Sequence, residues 1–272
     1  MTHSWFEGAG RPRVLAHRGL LTADDVSHGV VENSFAAVAA AHAAGAVYVE
    51  SDCHLTADGV AVLFHDADLS RVTGDPRPVA QVSGRELEAL MAARGGLITL
   101  TQALEAFPTV RFNFDVKAKD AAAEVGRIVG PHGHRVLLTS FADERRLAAL
   151  AAAEVSAGGS VRPATSAGSA TIARVLAALA ARSSRLVRRS LTGVDALQVP
   201  ERRGRMRIVT PRLIAAAHQH DVEVHVWTVN DPADMRRLVA MGVDGIVTDR
   251  ADVALSVFGD DTPPRPPRDG PP

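Results

Sequence analysis

The chain is predicted to fold as a (β/α)₈ TIM barrel with a small insertion after the second strand. Three observations carry that expectation. Short apolar runs alternate with helical stretches along most of the 272 residues, a pattern that implies right-handed crossovers and a parallel sheet. Eight such runs fall within about 250 residues, the size at which these units close into a barrel. The residues able to do chemistry collect at the carboxyl ends of the runs, where a barrel gathers its site. A doubly wound open sheet is the alternative, but it would carry a Gly-rich phosphate loop after the first strand, and HRGL (17–20) is not one.

In order, the first ten residues read as a loose leader. RVLAH (13–17) is a short strand ending at HRG. Residues 21–31 form a loop, and Asn33 is a good N-cap for the helix in SFAAVAAAHAAG, closed by Gly45. AVYVESDC (46–53) is the second strand. Asp58-Gly59 between two apolar runs signals a hairpin, and its second arm ends on His65-Asp66. Residues 67–95 form an irregular polar insertion with one short helix, SGRELEAL.

The alternation then resumes with a helix at 98–107, a strand VRFNFDVK (110–117), a helix at 120–130 and a strand RVLLTSF (135–141). DERRLAALAAA is helical. The stretch 154–170 holds a weak strand before the helix TIARVLAALAARS. VDALQVP (194–200) is a strand, and TPRLIAAAHQHD is a helix with Pro211 at its start. VEVHVWTV (222–229) and VDGIVTD (243–249) are the last two strands, separated by a helix that Gly242 closes. The barrel domain is placed at 10–258, with its insertion at about 58–95 and a disordered Pro-rich tail over 259–272.

Composition narrows the function. Hydrophobic residues make up 46% and aromatics only 4%, so small residues build the helix layer. A formal net charge of -1 offers no global field for nucleic acid or an anionic membrane. The single cysteine, Cys53, excludes an internal disulfide and a Cys-based zinc cluster. The leader MTHSWFEGAG lacks the basic start and apolar run of a secretory signal. No segment approaches the ~18 apolar residues of a membrane span. A cytoplasmic protein without a stable membrane anchor is expected, its oligomeric state open. The basic run SSRLVRRS (183–190) reads as a solvated helix face.

The chemistry begins in AVYVESD. A strand alternates its faces, so Glu50 and Asp52 point the same way, and two buried carboxylates repel unless a cation joins them. Asp115, at the end of a later strand, supplies a third. All-oxygen ligation suits Mg²⁺ or Ca²⁺ rather than zinc. Arg18 and Lys117 sit at strand ends where they can neutralise a phosphodiester and the charge that builds on it. His17 and His65 can share general acid and base roles. Glu32 and Asn33 are supporting residues that orient the site. Cys53 points away from Asp52 into the helix layer, and His54 lies behind the site. His132, His134, His218 and His220 are expected to be solvated.

HRG, then ENS, then E-x-D followed by LTADGVAVLFHD and L-x-R-x-T, together with FDVK, TSF, VWTVND and GVDGIVTD in that order, closely resemble the glycerophosphodiester phosphodiesterase family over residues 13–255. The resemblance implies a (β/α)₈ barrel, metal ligation by Glu50, Asp52 and Asp115, acid/base catalysis by His17 and His65, and phosphate contacts from Arg18 and Lys117. It also places Trp227 beside the substrate. Position 115 is usually Glu in the family, so Asp115 retracts the third carboxylate by roughly 1.5 Å. The implied reaction is hydrolysis of a small glycerophosphodiester to glycerol 3-phosphate and an alcohol, either directly or through a cyclic phosphate. The alternatives are a phospholipase D-like or lysolipid phosphodiesterase of the same shape, and a non-catalytic phosphate-binding barrel.

Overall fold

The computed structural model describes residues 3–8 and 10–259; apart from Gly259, the expected Pro-rich tail lies outside them. Among the described residues, eight parallel strands form a ring: β1 (Arg13–His17), β2 (Tyr48–Leu55), β4 (Arg111–Val116), β5 (Val136–Thr139), β6 (Ala164–Thr165), β7 (Ala196–Pro200), β10 (Glu223–Trp227) and β11 (Gly245–Thr248). Their order is β6-β5-β4-β2-β1-β11-β10-β7. The ring closes where Ser166 bridges Ala196 in parallel register. The weak strand expected in 154–170 is therefore the closing strand, only two residues long.

Outward residues such as Val49, Phe112, Phe114, Val199 and Ile246 meet Val38, Leu104, Val125 and Leu213 of the helix layer in one continuous core. Side-chain oxygens cap the helices that feed the strands. Thr99 and Gln102 form a reciprocal capping box, and Thr210 and Asp231 cap helices that start on Pro211 and Pro232.

After β2 the chain turns at Gly59 and returns as β3 (Ala61–Leu63), antiparallel to β2. The insertion that follows has a small core of its own, in which Val62, Phe64, Leu69, Val72, Val79, Leu87 and Met91 are buried together. It carries two α-helices, Ser70–Thr73 and Gly84–Met91, rather than one. A second hairpin that the sequence pattern did not suggest follows β7, with arms β8 (Arg202–Arg203) and β9 (Met206–Arg207).

Two expectations are corrected at the amino-terminal end. The loose leader is a plug: Trp5 is 0% exposed and Phe6 5%, and the indole Nε1 donates to the Phe112 carbonyl. Trp5 packs on Tyr48 and His225, and burying two large aromatics there closes the barrel floor. His218, expected to be solvated, instead pairs with Asp244 at 2.6 Å. Arg13 and Glu223 complete this floor, the guanidinium bonding both carboxylate oxygens, the Tyr48 hydroxyl and the Phe6 carbonyl. Burial would raise the Glu223 pKa, but the bonds from Arg13 and His225 outweigh it and hold the carboxyl well below its usual range.

Candidate active site

At the other end, strand register gathers the chemistry. His17 stands opposite Glu50 across β1 and β2, and Asp52 opposite Asp115 across β2 and β4. The turn after β1 is constrained by packing. Gly19 has φ +91°, and a Cβ there would lie 2.6 Å from the Ala37 carbonyl, so only glycine lets HRG approach the helix Phe35–Ala43. Arg18 and Asn33 also take left-handed backbone, at φ 60° and 58°. Backbone bonds fix both: Arg18 N donates to Glu50 O, and Asn33 N to Arg18 O. Strain of this kind persists where surrounding structure imposes it, and it collects at functional sites.

Residues 21–31, expected as a loop, hold a short helix, Ala23–Ser27, and Ser34, not Asn33, caps the next one, Phe35–Ala43. Asn33 turns to the site instead, donating to Asp52 Oδ2 at 3.0 Å and accepting from Ser51 Oγ. Lys117 Nζ spans Asp52 Oδ1 at 2.8 Å and Asp115 Oδ2 at 2.6 Å. Arg18 Nε is 3.0 Å from Asp52 Oδ2 but is not aligned to donate to it. The balance is three buried carboxylates against two cations. Glu50 Oε2 and Asp115 Oδ1 are left with no hydrogen-bond partner.

The electrostatics follow. Burial, then the charges of Asp52 and Asp115, push the Glu50 pKa well up. Asp115 is also raised, mainly by burial. Burial works against the charge of Asp52 as well, yet Lys117 and Arg18 prevail and its pKa falls. Burial alone would lower the Lys117 pKa, but Asp115 and Asp52 outweigh it and raise it, so the ammonium stays charged.

Each histidine is held by a carboxylate. His17 Nδ1 lies 2.6 Å from Asp249 Oδ1, and Nε2 lies 3.9 Å from Glu50 Oε2. Asp249 is braced by Asn230, whose amide donates to its Oδ2 at 2.8 Å. His65 Nδ1 lies 2.7 Å from Asp66 Oδ1. Arg71 in the insertion then bonds Asp66 Oδ2 and Glu32 Oε1, both at 2.6 Å, and Glu32 stands 3.5 Å from Arg18 Nη1. The bond from His17 holds the Asp249 pKa low. Burial would raise that of Asp66, but His65 and Arg71 outweigh it and hold it low as well. An ionised carboxylate only accepts, so each Nδ1 carries a proton and donates it to its carboxylate.

His17, Arg18, Gly19, Leu21, Glu32 and Asp249 line a cleft of about 230 Å³. Trp227 lies half-buried on the rim, edge-on to Phe141 at 5.8 Å. His225, on the same strand, sits on the floor with Glu223. His54 touches the backbone carbonyl of His65, and Cys53 is buried in the helix-layer core. The contacts of Asp66, Asp249, Asn230 and Arg71 with the two histidines and their carboxylates were not read from the sequence. Their signals were an acid directly after His65, an acid closing VTD, the Asn of VWTVND and the Arg of L-x-R-x-T.

A metal at this mouth can be tested on the donors present. The two unpartnered carboxylate oxygens and the surplus acid suit a hard divalent ion. As the side chains stand, however, no three carboxylate, imidazole or thiol groups among the described residues are grouped to hold one, because Lys117 occupies the space between Asp52 and Asp115. The donor chemistry fits, and the cage is not preassembled.

A barrel with a capping insertion after its second strand, and with paired imidazoles facing buried acids and cations at its mouth, defines the class: a phosphodiesterase-type TIM barrel. The chain belongs to the glycerophosphoryl diester phosphodiesterase family, whose model matches residues 17–253. It is 34% identical over 248 residues to a probable glycerophosphodiester phosphodiesterase 2 of Mycobacterium tuberculosis, covering 90% of this chain and 89% of that one. The fold matches a glycerophosphodiester phosphodiesterase of Thermotoga maritima with TM-score 0.68 at 23% identity, covering 92% of this chain and 100% of that one. It also matches an Oleispira antarctica phosphodiesterase solved with its product sn-glycerol-3-phosphate, with TM-score 0.67 at 21% identity, covering 91% and 97%.

Proposed function

We propose that the chain hydrolyses small glycerophosphodiesters to glycerol 3-phosphate and an alcohol. The observation that carries the reading is the pair of imidazoles, each held through Nδ1 by an ionised carboxylate and joined through Asp66, Arg71, Glu32 and Arg18 to a group of buried acids that outnumber their cations. Arg18 and Lys117 hold the phosphodiester and offset the charge that grows on it. Of His17 and His65, one takes the proton from the attacking water, or from the glycerol 2-hydroxyl where a cyclic phosphate forms first and water then opens it, and the other returns a proton to the departing alcohol. Asp249 and Asp66 keep the rings in the tautomer this needs. Trp227 and Phe141 flank the organic part of the substrate. Glu50, Asp52 and Asp115 would hold Mg²⁺ or Ca²⁺, the unpartnered oxygens of Glu50 and Asp115 among the donors. Such an ion would polarise the phosphoryl oxygens. The lone cysteine, buried and unpaired, suits a reducing compartment, and we place the reaction in the cytoplasm.

The test is release of the headgroup alcohol from glycerophosphocholine, glycerophosphoethanolamine and a lysolipid, with glycerol 3-phosphate as the second product of the first two, each with EDTA and with Mg²⁺ or Ca²⁺ restored. Turnover of the first two that EDTA abolishes is expected. Preference for the lysolipid would move the chain to a lipid substrate, and no turnover of any would leave a binding protein.

A further inference from the structure

A second charged feature lies at the same end of the barrel and takes no part in that reaction. The chain leaves β7 at Pro200, opposite Trp227 of β10, and forms the β8–β9 hairpin. Its sequence, ERRGRMR, puts four arginines into the six residues 202–207 of a chain whose formal net charge is -1. All six are exposed. Glu201, the adjacent acid, is held by both terminal nitrogens of Arg237 at 3.1 and 2.8 Å. Among the described residues, no carboxylate pairs with Arg202, Arg203, Arg205 or Arg207, and Glu201 is thus not available to them.

Register sharpens the point. Arg202 stands directly opposite Arg207, and Arg203 opposite Met206. The two guanidinium groups of the first pair share one face, where like charges across a ladder are destabilising. Gly204, at φ +60°, makes the tight turn that keeps them there. A solvated run of charge needs no such alignment, and phosphate oxygens bound between the two arms would remove the repulsion. The other face carries an apolar side chain, Met206, 54% exposed beside its charged neighbours.

We propose that this hairpin docks the barrel mouth on an anionic phospholipid surface, with the arginines on lipid phosphates and Met206 among the headgroups. A nucleic acid is the poorer occupant. It needs cations tracked along several successive phosphates, whereas here four arginines crowd one short hairpin whose β9 arm also carries an exposed apolar side chain, Met206. Docking would face the cleft toward the surface from which lipid-derived phosphodiesters are released. The inference stands apart from the reaction, because binding is read without turnover.

The test is flotation of the full chain with vesicles of phosphatidylcholine, with and without phosphatidylglycerol. Partition onto the anionic vesicles alone is expected, and it should disappear in about 1 M salt, where screening acts within roughly 3 Å. Each arginine near such a surface contributes roughly fivefold. The variant carrying Arg202→Gln, Arg203→Gln, Arg205→Gln and Arg207→Gln should therefore lose on the order of several hundred-fold in partitioning. Arg202→Gln with Arg207→Gln alone should lose roughly 30-fold and raise the unfolding midpoint as the cross-strand repulsion goes. Wild-type protein indifferent to phosphatidylglycerol would overturn the proposal. So would a folded quadruple variant that still binds, or capture of duplex DNA without vesicle binding.

Discussion

At the floor of the barrel Arg13 and Glu223 are buried against each other with every charged atom bonded. At the mouth Glu50 and Asp115 are buried about as deeply, with one oxygen of each left bare. A fully paired buried network fixes structure, and removing one partner strands the other. An unpaired buried acid is a standing cost that persists where something else is meant to arrive. The same strands supply both ends. On β2 the inward residues run Tyr48, Glu50, Asp52, and on β10 they run Glu223, His225, Trp227. One end holds the fold, and the other holds the chemistry.

The largest expected effect is at the mouth, on rate alone. His17→Ala and His65→Ala should each lower turnover about a thousandfold, the scale of a lost general acid or base, with the unfolding midpoint little changed. An active double variant would remove both histidines from the mechanism. The next effect is at the floor, on stability alone. Glu223→Gln should cost about 3 kcal/mol in denaturant unfolding by leaving Arg13 partly unpaired, while turnover per folded molecule holds.

The same residue sets a pH dependence. Its folded pKa lies below the unfolded value of about 4.3. The stability it contributes is therefore present above that value and is lost as pH falls toward the folded one. Denaturant melts across the acid range should show this limb in the wild type and a flatter one in Glu223→Gln.

Smaller effects belong to the residues that hold the imidazoles. Asp249→Asn and Arg71→Ala should each reduce kcat about 10- to 100-fold, the usual scale for a group that orients a catalytic one. Arg71→Lys should restore part of it. Arg71 is expected to act because it joins Asp66 to Glu32, so its loss frees His65 and the Arg18 side together. The smallest effect has the opposite sign from that at Glu223. Glu50→Gln should raise stability at neutral pH by about 1 kcal/mol, since a neutral amide relieves the crowding of Glu50 by Asp52 and Asp115. A loss there would mean that Glu50 is structurally paired, as Glu223 is.

Much of this was legible in the chain. Strand and helix alternate with periods that differ, so the eight barrel strands could be read, even the two-residue β6. His17, Glu50, Asp52 and Asp115 were legible because they end apolar runs, and residue type with position sufficed. Trp5 and Phe6 were not, because two aromatics in a polar leader carry no periodicity; only the closed ring offers them a place to bury. The partner of His17 is 232 residues away and is set by β11 lying beside β1, a neighbour relation that no local pattern shows. Lys117 could be assigned to the site, but its seat between Asp52 and Asp115 depends on register. The β8–β9 hairpin was missed because charge, rather than alternating apolar residues, fills its arms.

The most direct test of the mouth is the unfolding midpoint of metal-stripped protein as Mg²⁺ or Ca²⁺ is added. If the bare oxygens of Glu50 and Asp115 await a cation, the midpoint should climb and keep rising with the logarithm of ion concentration, the added unfolding free energy reaching about 2.7 kcal/mol at a hundredfold excess over Kd. The climb should vanish in Glu50→Gln. A midpoint indifferent to both ions, in protein that still hydrolyses glycerophosphocholine in EDTA, would contradict the account.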